Sequence, residues 1–172
     1  AGMRNPANVY LVAQRCLRWH TTADEQLVNV GGHSAGSLDF EFVSWSQGTI
    51  RHNFVRSDGK HNDVSPIDRV RVMFVAGRNA DLVSVLRESA GSTEKATFGM
   101  TVAQRAARAS KRLQSVAAKV EEPLIIDILD VVKTVQLKLN NESQLTLAAE
   151  QIAKLGNKIA ETKDGSNLSA LD

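Results

Sequence analysis

Three successive stretches of this chain carry apolar residues at alternating spacings of three and four, and that pattern leaves little freedom of fold. Val102, Ala106, Ala109, Leu113, Val116 and Val120 mark the first. Ile125, Ile128, Val132, Val135 and Leu139 mark the second, and Leu145, Ala148, Ile152, Leu155 and Ile159 the third. Each stripe is one face of an amphipathic helix, and such a face needs a neighbour, from the same chain or another copy. Glu121-Glu122-Pro123 separates the first two, because proline cannot continue a helix. Thr101 with Gln104, and Asn141 with Gln144, have the spacing of capping boxes that open the first and third helices. Short connections make consecutive helices antiparallel. Residues 101–163 therefore read as a three-helix bundle and association region, followed by a flexible tail over 164–172.

The front of the chain reads differently. Leu38, Phe40, Phe42 and Ser44 alternate with Asp39, Glu41, Val43 and Trp45, the period of a half-buried strand. Ser46-Gln47-Gly48 turns the chain, Ile50, His52, Phe54 and Arg56 alternate again, and Asp58-Gly59 closes the pair, so residues 38–57 are expected to form a β-hairpin. Val70, Val72, Phe74 and Val75 suggest a further strand running into Gly77. Asn79 then caps a helix that Gly91 ends. Val9–Trp19 fits a strand or a short helix. The expected fold class is α+β: a small mixed or antiparallel sheet with one or two helices over 1–90, a hinge over 91–100, and the helical bundle.

Composition narrows the setting. With 42% hydrophobic and 23% charged residues, the 172-residue chain has the balance of an ordinary globular protein. Its one cysteine, Cys16, excludes an intrachain disulfide and fits a reducing, cytoplasmic setting. No apolar run approaches the ~20 residues that span a bilayer, so no membrane partner is expected. Up to Asp24 the only charged side chains are Arg4, Arg15 and Arg18, a composition similar to that of an organellar transit segment; we read it as retained structure.

Chemistry-bearing motifs are sparse. Gly32-His33-Ser34-Ala35-Gly36 matches the spacing of a nucleophile elbow, which needs a strand before the serine and a helix after it. The residues that follow alternate like a strand, so a glycine-serine turn is the preferred reading and a small serine hydrolase the outlier. Cys16 with His20, and His52 with His61, have ligand-like spacings, but no second pair completes a metal site. The glycine-rich stretches lack the order of a nucleotide-binding loop. No metal, cofactor or small-molecule substrate is indicated.

Two features remain. Residues 1–120 hold 16 Lys and Arg against 10 Asp and Glu, whereas residues 121–172 hold 5 against 9. Within the basic part, Arg105, Arg108, Lys111, Arg112 and Lys119 line one helix without an intervening acid, a pattern suited to phosphate contacts or to pairing with acidic neighbours. The second helix is apolar around most of its circumference, and Ile125, Ile128, Leu129, Val132, Val135 and Leu139 form its expected interface. A closed dimer is the economical way to cover such a helix. The functional expectation is a non-enzymatic assembly or scaffolding protein that self-associates through these helices, as a component or assembly factor of a larger nucleoprotein particle. The alternative is a sequence-independent nucleic-acid-binding accessory protein using the basic helix.

Overall fold

The computed structural model describes residues 8–37, 39–48 and 63–172. Among these, seven α-helices follow one another: α1 (Val9–His20), α2 (Glu25–Asn29), α3 (Phe42–Gln47), α4 (Ile67–Ala90), α5 (Thr97–Ala117), α6 (Pro123–Lys133) and α7 (Glu142–Thr162). A 3-10 helix over Ser166–Leu171 closes the order. The described residues contain no sheet, only an isolated antiparallel bridge between Thr21 and Gly36. The expected α+β class is therefore wrong, and the molecule is helical throughout the described residues. None of these helices is long and apolar enough to cross a membrane.

Two expected strands fail for identifiable reasons. Phe42–Gln47, the end of the first hairpin strand, is a helical turn and a half. Glu41 caps it, its carboxylate accepting from the Val43 and Ser44 amides at 3.1 and 2.7 Å. The second hairpin strand and its Asp58-Gly59 turn lie outside the described residues. Val70–Val75 forms the first half of α4 rather than a strand. Its β-branched residues each cost a helix only a few tenths of a kcal/mol, about 0.7 at most. Full burial of each such side chain offsets this by about 1.5–3 kcal/mol. Val72, Met73, Val75, Ala76, Leu82, Val83, Val85 and Leu86 are all buried, spread around the whole helix. That is possible because α4 lies at the centre, packed against α1, α3, α5 and α7.

The centre of α4 makes close contacts with two other helices. A Cβ on Gly77 would lie 2.7 Å from Phe42 Cβ, so this glycine lets α3 pack directly on the helix. Asn79, expected at a helix N-cap, is instead fully buried in mid-helix facing Gly156 of α7. Gly91 does end α4, its amide returning to the Arg87 and Glu88 carbonyls.

The three predicted bundle helices are present with altered ends. α5 begins at Thr97, four residues before the expected Thr101–Gln104 box, with Ala96 at its N-cap and Asn29 Oδ1 of α2 accepting from the Phe98 amide at 2.8 Å. Pro123 sits in the first turn of α6 as expected, and Glu122 caps that helix. α6 stops at Lys133, where the Thr134 hydroxyl donates to the Val131 carbonyl at 2.8 Å. Val135–Leu139 therefore belongs to a connection and not to a long apolar helix. Asn141 precedes α7 as expected, but its side-chain amide donates to Gln144 Oε1 at 2.7 Å instead of accepting from the helix backbone.

The stretch expected to be a loose tail folds back onto α4. Gly165 has φ of +92°, and a Cβ there would lie 2.0 Å from the Asp68 carbonyl oxygen, so only glycine fits. Beyond it Leu168 is 1% exposed. Buried Glu122 ties this end to the start of α6 by accepting from Lys163 at 3.0 Å and Asn167 at 3.1 Å. Buried apolar residues from Val9 to Leu168 belong to one continuous core.

Candidate interaction site

The site follows from how α5 meets α4. Phe98, Val102, Ala106, Ala109, Leu113 and Val116 are buried along one side of α5, and the two alanines allow close approach. Arg105 stands one turn beyond Val102 and falls inside this buried stripe, 4% exposed. Its guanidinium binds the Glu88 carboxylate and lies 3.3 Å from Asp81 Oδ1. Asp81 and Glu88 are seven residues apart, two turns of α4, so one face presents both to α5. Burial pushes both carboxyls above their ordinary values, while Arg105 acts in the opposite direction on each. Ser84 adds a hydrogen bond to Glu88 at 2.9 Å.

Arg105 is therefore not part of an outward-facing cationic stripe; it pairs with buried Glu88 and part-buried Asp81. Arg112, two turns along, reaches Asp81 at 3.9 Å and Asp39 at 3.6 Å. Arg108 also meets Asp39 at 3.6 Å, in a pair whose side chains are 50% and 82% exposed. An ion pair this open contributes about 0–1 kcal/mol. Lys111 and Lys119 are exposed, without an ion pair among the described residues. Five cations in one row of the sequence thus divide among three situations.

The expected apolar interface divides as well. Ile125 and Ile128 are 0% exposed and serve the core of the chain. Leu129, Val132 and Val135 are half-buried and pack against that core. Leu139 is 40% exposed, and Leu137, which the sequence did not single out as an interface residue, is 48% exposed.

What the structure brings together is the α5 cationic edge and the end of the α6 apolar run. A groove of about 380 Å³ lies between them. Leu82 and Leu86 of α4 form its floor, Ala107, Ser110, Lys111 and Gln114 one wall, and Val132, Val135 and Leu137 the other. The second wall holds its shape through the connection after α6. Gln144 donates to the Thr134 carbonyl, Asn141 to the Gln136 carbonyl, and the Asn140 amide to the Ser92 carbonyl. An apolar trough with an ammonium and two neutral polar groups on its rim accommodates an apolar side chain.

Other chemistry does not assemble. Among the described residues no three His, Cys, Asp or Glu side chains are grouped as metal ligands. His52 and His61 lie outside the described residues. Ser34 is in an exposed loop after α2, not between a strand and a helix. Its hydroxyl accepts from the Gly36 amide at 3.2 Å, and its carbonyl accepts from Thr22 at 2.8 Å. No protein-family model, curated protein or solved structure matches the chain.

Proposed function

We propose that this chain is a non-enzymatic assembly protein that associates with a second copy of itself through the groove between α5 and the segment following α6. One observation carries the reading: the same patch offers both a recess, floored by Leu82 and Leu86, and an exposed apolar side chain at its edge, Leu137. A patch with both knob and hole is what a twofold contact requires, since each copy then fills the other's recess. Lys111 on the rim and the acidic surplus of residues 121–172 supply a charge match at the edge of such a contact.

Sedimentation across a concentration series tests the proposal. The expected result is a monomer–dimer equilibrium that Leu137→Asp shifts toward monomer by about tenfold or more, since it places a charge in an apolar recess. A native chain that stays monomeric at high micromolar concentration removes the reading. Nucleic-acid association draws less support than the sequence suggested, because Arg105 is buried and Arg108 and Arg112 face Asp39.

A further inference from the structure

A second groove, of about 410 Å³, lies between α1 and α4 on the chain. Gln14, Arg15 and Arg18 come to it from α1, at positions that share a helical face. Ser84, Arg87 and Glu88 come from the facing side of α4, and Thr21 closes one end. Three guanidinium groups from two helices therefore line one recess. None of the three has an ion pair among the described residues.

The one acid in the lining does not offset them. Glu88 Oε2 is held by Arg105 and its Oε1 accepts from Ser84, so its charge is matched from the opposite side of α4. Asp81, two turns earlier on α4, lies against Arg105 and Arg112. Among the described residues the groove therefore carries a surplus of positive charge, and its walls include the apolar Leu11, Ala80 and Val83. Gln14 is fixed in place by donating to the buried Tyr10 hydroxyl at 3.1 Å.

We propose that this groove binds a small phosphorylated ligand, with Arg15, Arg18 and Arg87 on the phosphate and Gln14 as a neutral polar contact. Guanidinium forks match phosphate oxygens two at a time, and fixed positions on two helices orient them. The volume falls in the range of roughly 300–1,000 Å³ that small-molecule sites occupy. The apolar part of the lining accommodates a compact organic body beside the phosphate. This site shares no residue with the proposed association groove, so the two readings stand or fall separately.

Inorganic pyrophosphate is the probe. Isothermal titration at matched ionic strength is expected to show saturable binding with one site per chain. Arg15→Gln and Arg87→Gln, one from each helix, are each expected to weaken it about tenfold or more, the loss of a charge-assisted hydrogen bond. Arg108→Gln, on α5 away from the groove, leaves it unchanged. On the unaltered chain, pyrophosphate should slow phenylglyoxal labelling of Arg15, Arg18 and Arg87 but not of Arg108, read by mass spectrometry; this arm needs no variant to fold. Absence of saturable heat up to about 5 mM, weaker than the affinity a few charged hydrogen bonds supply, overturns the proposal. So does equal labelling of all four arginines, or displacement of pyrophosphate by a single-stranded oligonucleotide at far lower concentration, which would assign the surface to nucleic acid.

Discussion

At the residue scale, Arg105 holds the most consequential position in the chain. Two carboxylates, buried Glu88 and part-buried Asp81, lie opposite it, and the second partner of Asp81, Arg112, is more exposed than Arg105. Removing one member of such a set leaves the others uncompensated, which costs about 3–5 kcal/mol. Arg105→Gln is accordingly expected to lose that amount in urea denaturation at neutral pH. The pH dependence has a definite sign. Burial raises both carboxyls above their ordinary values of 3.8 and 4.5, so the native chain holds more protons than the unfolded chain in mild acid. Stability from these groups rises as pH falls through that window. The deficit of Arg105→Gln should therefore shrink as pH falls from 7 toward those ordinary values; an equal deficit at pH about 4 and pH 7 would contradict this account. In the sequence Arg105 is indistinguishable from Arg108 and Arg112. Only the placement of Asp81 and Glu88 on the adjoining face of α4 sets it apart.

At the element scale, the close contact of α4 with α7 depends on Gly156. A Cβ there would lie 2.4 Å from Asn79 Oδ1, and Asn79 is fully buried. Neither amide atom of Asn79 has a hydrogen-bond partner among the described residues. Gly156→Ala should cost about 1–3 kcal/mol by overpacking. Asn79→Ala removes both the obstruction and an unsatisfied polar group, so Gly156→Ala should cost less in that background. A double-mutant cycle by thermal denaturation is expected to show a coupling of about 0.5–3 kcal/mol; strict additivity would mean the two residues do not meet. Helix ends were legible where local chemistry sets them, at Pro123, Gly91 and Asn141. The end of α6 was not. The Val131–Leu139 stretch keeps its apolar spacing past Lys133, and the hydrogen bonds that hold the connection come from Ser92 and Gln144.

At the scale of the molecule, α4 is the element against which most others pack, and α2 is held largely by polar contacts. Glu25 accepts from the Thr93 hydroxyl at 2.6 Å and from the Thr93 and Glu94 amides, joining α2 to the connection between α4 and α5. Slight burial pushes the Glu25 carboxyl up, but these hydrogen bonds outweigh it and hold the group below its ordinary value of 4.5. A depressed carboxyl contributes stability above its unfolded value, and that contribution is lost as pH falls through the folded one. Hydrogen exchange, expressed as protection factors, should therefore show Glu25–Asn29 opening as pH falls below the ordinary value of 4.5 while the middle of α4 stays the slowest to exchange. Glu25→Gln should remove the acid dependence. Uniform loss of protection across both helices would show that α2 does not open as a separate unit.

The helical character of residues 101–163, the break at Pro123 and the stop at Gly91 follow from the sequence by itself, because spacing and backbone chemistry act within a few residues. The front of the chain resisted such reading. The run of β-branched and aromatic residues at Val70–Val75 satisfies a strand, and it equally satisfies a helix with neighbours on every side. Which of these applies depends on what surrounds the segment, and α1, α3, α5 and α7 are supplied from both ends of the chain. The same holds for charge. Arg15 and Arg18 stand some seventy residues from Arg87, and Arg105 seventeen from Glu88, so no local pattern could relate them. Tertiary packing decided which arginine is buried, which three line a common groove, and which leucines remain at the surface, because burial and field are properties of neighbours that the linear order does not contain.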